Sequence, residues 1–447
     1  MRFDDVKEIL IAEADRMGLD SYEVYYMESS DLNAETLKDE ISSFSSGVRG
    51  GVCFRCVVDG HMGNASSELF EANEMKALVK RAVENAKNIE SDDKAILFEG
   101  SPSYSDVKLP DIKDIDAGEL KRIALDIQRN TYGSSEYITE GTQSAVFTGK
   151  IKTELINSKG LRLSNSVAMN GAYVQSVIQK DGEAQDGFDW TLDLSESSLN
   201  DISRNATADA LSKVGAIEVE SGKYDIIISG KKMRDLLSAF SSAFSAKNVQ
   251  LGMSRLRGKV GEVVASDIIN IVDDPMREDS PMQTPFDGEG VATYKKNVIE
   301  KGVLKTFLYD LSTADKAGVE STGNGQRLSY SNPVYIAPYS FYIESGEHNF
   351  EELIKNMDNG LYVTDFKGMH AGCNAVTGDF SIESAGYIVR DGKIGEAVKS
   401  FTVAGNFFEL LSNIESISDK VYFGMPSGFT SYGAPDVLVR KMSVAGK

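Results

Sequence analysis

Apolar residues recur at helical spacing near the start of the chain, where Val6, Ile9, Leu10 and Ala14 line one face of Asp4 to Met17 and Gly18 supplies the stop. The period then changes to two. Ser21 to Ser29 sets Tyr22, Val24 and Tyr26 to one side of a strand, and a polar stretch, Ser30 to Asp39, leads to another strand containing Ile41 and Phe44. Gly47 to Asp59 reads as a further strand with a bulge or bend at Gly50 and Gly51, and Asp59-Gly60 makes a tight turn. Ser67 to Asn88 returns to helical spacing, with Leu69, Met75, Leu78, Val79 and Val83 inward. Helix, antiparallel set and helix predict a small α+β domain over residues 1–100.

Residues 89–116 lack periodicity and contain Pro102 and Pro110, which marks a boundary. A short amphipathic helix from Glu119 to Arg129 precedes a meander with strand candidates Ser144 to Lys152, Lys152 to Asn157, Leu161 to Met169 and Gly171 to Gln179. Asp181 to Gly187 reads as a flexible acidic turn or lid, and Trp190 after it as a core anchor, with substrate contact the lesser alternative. A helix from Ser198 or Asp201 to Lys213 completes a meander-rich segment, 101–220. Residues 221–447 hold many strands and few, short helices, which predicts a curved sheet or barrel-like domain. The fold class is α+β: a helix-layered antiparallel region followed by a strand-rich one.

Composition changes this picture only at the edges. With 447 residues the chain exceeds one ordinary core, and 40 Gly against 9 Pro suit a folded, turn-rich protein. A formal charge of -21 argues against binding a phosphate backbone, so no nucleic-acid partner is expected. Met1 to Leu10 lacks a signal-like apolar core and no apolar run reaches spanning length, so the expected location is cytoplasmic, away from membranes. Cys53 and Cys56 form a Cys-x-x-Cys within a strand, where their opposite parity points them to opposite faces. A structural role outweighs redox or zinc for these two, and the three cysteines, with Cys373, fit a reducing compartment.

Chemistry is sought first between Ser221 and Pro275. An apolar run over Asp225 to Ser229 leads into a helix predicted from Lys232 to Asn248, then a loop bearing Arg255 and Arg257. The helix carries Ser238, Ala239, Phe240, Ser241, Ser242 and Ala243 where a zinc-binding helix needs His and Glu. Asp287 and Glu289 flank glycines but lack the further oxygen ligands of a cation loop. Ser321 to Gly325 resembles an anion- or peptide-receiving turn but lacks the lysine and spacing of a phosphate loop, and reads first as a structural loop. His370 and Cys373 share a loop with Thr377 and Asp379, with no third local ligand, and no Gly-x-Ser-x-Gly follows a strand.

Several stretches in order resemble one family. Val376-Thr377-Gly378-Asp379-Phe380-Ser381, Ala385-Gly386-Tyr387, Asp391-Gly392-Lys393-Ile394 and Thr402-Val403-Ala404-Gly405-Asn406 are similar to the TldD/PmbA family, once named modulators of DNA gyrase and regarded as metallopeptidase-related. Ile271 to Pro275, Phe286 to Gly290, Gly302 to Lys305, Ser321 to Asn324 and Met442 to Gly446 extend the match. The resemblance implies that a His-Glu-x-x-x-His helix holds zinc in the TldD branch. Here Ser238, Ala239 and Ala243 stand at its functional positions. The chain thus looks like the PmbA/TldE branch, a non-catalytic subunit with no cofactor of its own, whose TldD-like partner carries zinc and whose substrate is an unfolded peptide. Isolated, it is expected to form a homodimer in place of the heteromer. Arg255, Arg257, Thr322, Gly323, Asn324, His370, Thr377 and Asp379 are the candidate peptide-lining residues. Two alternatives stay open: a peptidase acting through His370, Cys373, Asp379 and Glu383, or a protein-binding regulator of a topoisomerase.

Overall fold

The computed structural model describes residues 2–90, 93–108, 112 and 114–447, so the boundary residue Pro110 lies outside the described residues. Its first half is helix, three strands and helix, written twice. The first set is α1 (Phe3–Arg16), β1 (Tyr22–Leu37), β2 (Glu40–Val58), β3 (His61–Ser67) and α2 (Ala72–Asn88). The second is α3 (Ala117–Gly133), β4 (Gln143–Asn157), β5 (Arg162–Lys180), β6 (Glu183–Thr191) and α4 (Glu196–Ser212).

Both sets share a single antiparallel sheet ordered β3-β2-β1-β4-β5-β6, with the first strand of each set at the centre. The division expected at residue 100 therefore falls between two halves of one sheet. Val24, Tyr26, Val52, Phe54 and Cys56 point to α1 and α2, and Ala34, Val146, Ala172 and Val174 to α3 and α4, so the helices cover one face. Glycine on each edge strand lets a helix come close. A Cβ on Gly63 of β3 would lie 2.1 Å from the Ala82 carbonyl of α2, and one on Gly187 of β6 would lie 2.1 Å from the Ala206 carbonyl of α4.

Some elements differ from the sequence reading. Ser30 to Leu37 prolongs β1 because Ala34 and Thr36 are fully buried toward the helices, while Asp31, Asn33 and Glu35 face the other way and disguise the alternation. The expected acidic lid is strand β6, paired to β5 through a tight Asp181-Gly182 turn with both residues at positive φ, and Trp190 sits half-buried opposite Tyr173. Leu69 precedes α2 and is 53% exposed, not inward.

From β7 (Gly222–Ile228) onward the chain forms a closed barrel. β7 pairs with Gly360–Lys367 and with Val437–Ala445, and Asp379–Arg390 and Lys393–Asn406 complete the circuit when Thr402 to Ala404 pairs with Ser443 to Ala445. A second six-stranded sheet includes Ile271–Asp273, Ser340–Ile343 and Ser431–Ala434. Between barrel and second sheet runs α5 (Gly230–Phe240), which buries Met233, Leu236, Leu237 and Phe240 at helical spacing. The Phe240 ring stacks on Phe407 at 4.7 Å.

The helix-free face of the first sheet rests on this second half. Glu23 of β1, buried, takes two hydrogen bonds at 2.9 Å from Arg55 of β2 and one at 2.6 Å from Arg327. Arg327 also lies over the Tyr25 ring at 4.3 Å, and Tyr104 donates to the Gly290 carbonyl at 2.9 Å. Cys53 faces this junction while Cys56 points into the helix-side core, and burial pushes both thiols up, Cys56 to about 11. Among the described residues no helix is long and apolar enough to cross a membrane.

Candidate functional site

The N-terminus of α5 is fixed by the second half of the chain. Asp436 accepts the Gly230 N–H at 2.9 Å, and its carboxyl is raised by burial against the lowering effect of that bond and of Ser418. Gly230 is needed because a Cβ there would lie 2.5 Å from the Ala434 carbonyl. The helix expected to reach Asn248 instead stops at Phe240, passes through a 3-10 turn, Ser241–Phe244, and resumes as Ala246–Gln250. Side-chain hydroxyls and amides explain the break. Ser241 donates to the Ser238 carbonyl at 2.8 Å and Asn248 to the Ser242 carbonyl at 2.8 Å, competing with helical partners.

Around this break lie the three positions of interest. Ser241 Oγ is 2.9 Å from the Tyr432 hydroxyl, and Ser238 is half-buried one turn before it. Ala239 packs half-buried against the barrel core, and Ala243 is fully buried, its carbonyl taken by Ser254 Oγ at 2.7 Å. A zinc ion needs three or more imidazole, thiolate or carboxylate donors. Ser238 offers only a neutral hydroxyl, and the alanines offer no donor, so these residues do not fit zinc. No group of three His, Cys, Asp or Glu suited to a metal occurs among the described residues.

A second cluster gathers on the exposed side of the break. Arg255 Nη1 donates to the Thr377 carbonyl at 3.2 Å. Asn406 Nδ2 bonds that same carbonyl at 2.9 Å and the Asp379 carboxylate at 2.8 Å, while its oxygen caps the helix Phe407–Ser412. Hydrogen bonds from Asn406 and Thr377, with Arg255 nearby, hold the Asp379 carboxyl below its usual range. Arg257 is exposed on the same loop, among Leu251, Met253, Val260 and Val263, which are 40–74% exposed. His370 is exposed on the one-turn helix Met369–Gly372, and the half-buried thiol of Cys373 is raised by burial. Glu383 is exposed on the strand opposite Thr402.

Thr322, Gly323 and Asn324 are placed inside, contrary to a peptide-lining role. Asn324 is fully buried, donates to Asp273 at 2.7 Å and to the Ala337 carbonyl at 3.1 Å, and accepts from Thr322 at 2.7 Å and Lys296 at 3.3 Å. Lys296 and Asp273 form a buried ion pair at 3.1 Å. Every polar atom of the Asn324 amide is thus used within the fold. A buried ion pair stands only when its remaining valences are met, and Asn324 meets them.

Asp287 and Glu289 are likewise internal. Asp287 accepts the N–H groups of Glu289, Val291 and Gly325 at 2.9–3.0 Å, and Glu289 accepts that of Leu311 at 2.9 Å. Burial raises both carboxyls, and Asp287 raises Glu289 further. Turn-forming Asp-Gly-x-Gly could have signalled the backbone role of Asp287. Nothing local marks Tyr432, whose partner Ser241 lies 191 positions away, whereas Asn406 is marked locally only as a helix cap.

Three family profiles match in order: PmbA/TldA metallopeptidase domain 1 over residues 22–86, central domain over 110–214 and C-terminal domain over 221–446. The chain belongs to the PmbA/TldD family. An uncharacterized protein of Methanocaldococcus jannaschii is 29% identical, the match covering 92% of this chain and 94% of that one. A Thermotoga maritima structure named for modulation of a DNA gyrase superposes with a TM-score of 0.89 at 29% identity, covering 99% of this chain and 100% of that one. TldE from Thermococcus kodakarensis gives 0.89 at 25% identity with the same coverage.

Proposed function

We propose that this chain is a catalytically silent, PmbA/TldE-like subunit that works in the cytoplasm with a TldD-like zinc peptidase on unfolded peptides. The observation that carries this reading is the state of the α5 break: a serine hydroxyl at Ser238, and methyl groups at Ala239 and Ala243. A serine hydroxyl and two methyl groups supply neither a metal ligand to polarise a carbonyl nor a general base to move a proton. Chemistry then belongs to the partner, and this chain contributes peptide-holding surface. Arg255, Thr377 and Asp379, which the fold brings together, with Arg257 on the same loop and His370, are the residues assigned to that surface.

The test is cleavage of an unstructured peptide panel, with metal counted in the same samples, by the chain alone and after mixing with a TldD-type subunit. Activity confined to the mixture, with zinc following the other subunit, is the expected result. Zinc-dependent cleavage by the isolated chain would end this reading.

A further inference from the structure

Where the first sheet meets the second half of the chain lies a cavity of about 190 Å³. Its walls are the end of the β2–β3 hairpin, residues 93–96 and the start of the helix Leu311–Ala317. Arg55 and Glu289 both line it, two ionisable side chains taken almost wholly out of water, at 13% and 7% exposure. Each has structural work that leaves one atom over. Arg55 spends Nε and Nη2 on Glu23, and its Nη1 makes no hydrogen bond among the described residues. Glu289 gives Oε2 to the Leu311 N–H at 2.9 Å, and among the same residues its Oε1 accepts none. His61 Nδ1, on the same wall, is buried without a partner, and the Ser312 hydroxyl is also unengaged among the described residues.

Four polar groups with spare capacity thus share one small space. Water can supply hydrogen bonds there, but it cannot supply charge. Burial raises the Glu289 carboxyl, Asp287 raises it further, and Arg55 opposes them from a distance, since no ion pair joins Arg55 to Glu289 among the described residues. A ligand with a single charge suits only half of this arrangement. A bare carboxylate beside Arg55 meets Glu289 as a like charge, and a bare amine beside Glu289 meets Arg55. A zwitterion with ammonium and carboxylate on one carbon answers both groups at once. The rest of the wall includes Met62, Ile96 and Leu311, which suit an apolar side chain.

We propose that this cavity binds a free α-amino acid with an apolar side chain, its ammonium on Glu289, its carboxylate on Arg55 and Ser312, and its side chain against Met62, Ile96 and Leu311. His61 in its neutral form accepts a further ammonium hydrogen at Nδ1. The walls come from both halves of the chain, so an occupant ties the halves together and raises the temperature of unfolding. Hydrolysis of peptides releases molecules of this class, so the site reads a product of the reaction assigned to the mixed complex; that link rests on the peptidase reading, whereas the binding itself does not.

The test is calorimetric titration and thermal unfolding of the full chain with L-leucine, with 4-methylpentanoate, which lacks the ammonium, and with leucinamide, which lacks the carboxylate. The expected result is that L-leucine binds about tenfold tighter than either analogue and raises the melting temperature. Glu289→Gln keeps an oxygen for the Leu311 N–H and is expected to weaken leucine about tenfold while leaving 4-methylpentanoate unchanged. Ser312→Ala, at a half-buried position, is expected to weaken leucine about threefold, and circular dichroism checks that both variants fold. No heat and no change in melting with L-leucine up to about 10 mM, an analogue that binds as tightly as leucine, or a folded Glu289→Gln protein that binds leucine unchanged would overturn the proposal. A chain that ignores leucine yet activates a TldD-type partner strikes this site alone, and a chain that binds leucine but activates no partner strikes the peptidase reading alone.

Discussion

Ser241 Oγ stands 2.9 Å from the hydroxyl of Tyr432, and this contact ties the end of α5 to the strand Ser431–Ala434. Ser241 Oγ also donates to the Ser238 carbonyl at 2.8 Å, which leaves its lone pairs to accept from the Tyr432 hydroxyl. Where a zinc peptidase would gather donors with charge or a lone pair free for metal, this chain gathers hydroxyls that satisfy one another. Tyr432 also packs edge-on to Phe341, so the cluster belongs to the core as much as to the surface.

Replacing Tyr432 by Phe keeps the ring packing and removes the shared hydroxyl. The expected cost is about 1 kcal/mol of unfolding free energy, the usual net value of such a bond. Metal content and the activity of a TldD-type mixture are expected to stay unchanged. Urea denaturation and a metal count on the same preparation check both.

Arg327→Met is expected to be far more damaging. Arg327 is 2% exposed and, with Arg55, neutralises Glu23, which is 1% exposed. Burial pushes the Glu23 carboxyl up, but the two arginines outweigh it and the carboxyl ends below its ordinary range. Removing one arginine leaves a buried charge half-compensated, which costs roughly 3 kcal/mol. Because the folded carboxyl is depressed, its stabilisation is present above the ordinary glutamate pKa of 4.5 and is lost as pH falls through the folded value. Thermal unfolding from neutral pH down to acid should show wild type losing stability steeply in that range, and Arg327→Met losing less.

Local pattern carried much of the fold. Lys296–Glu300 and Val303–Leu304 read as a hairpin because Lys301 and Gly302 between them suit positive φ, observed at 47° and 74°, and the short helix Leu311–Ala317 ends at Gly318 in the left-handed conformation. Helix α2 was readable from spacing alone, and so was the opposite facing of Cys53 and Cys56. The doubled helix and strand plan was not, because the two sets share a topology and glycine contacts at Gly63 and Gly187 but few residues. The site suffered in the same way. Ser241 and Tyr432 are separated by 191 positions, and Glu23 and Arg327 by 304, so only the closed chain brings them together. Two hydroxyls spaced three apart at half-buried positions of an apolar helix were the one local sign that a partner was needed.

Glu289 gives the opposite pH behaviour to Glu23. Burial, with help from Asp287, raises its carboxyl to about 8. A raised carboxyl favours the folded state while protonated, so its contribution is full below the unfolded value of 4.5 and is lost as pH rises toward the folded one. Glu289→Gln keeps an oxygen for the Leu311 N–H, bonded at 2.9 Å, and removes the titration. The variant is expected to match wild type near pH 5 and to exceed it by on the order of 1–3 kcal/mol near pH 9. Melting curves at several pH values decide; a constant gap would place the titrating group elsewhere.

Arg255 and Asn324 separate surface from interior among the residues first grouped together. Asn324→Leu deprives Asp273, Lys296 and Thr322 of their bonded partner at 2.7–3.3 Å, and leaves the Lys296 to Asp273 pair short of ligands in a fully buried site. That substitution is expected to cost about 2–4 kcal/mol. Arg255 is exposed and makes one bond to a carbonyl that Asn406 also holds, so Arg255→Ala should change stability by less than about 0.5 kcal/mol. If the cluster around Thr377 and Asp379 receives peptide, the same change weakens capture of an unstructured peptide by the mixture with a TldD-type subunit, by about three- to tenfold. Fluorescence anisotropy of a labelled peptide and denaturant curves on both variants read the two effects separately. Unchanged peptide capture in a fully folded Arg255→Ala protein would remove this loop from the peptide surface and leave the silent-subunit reading resting on α5 alone.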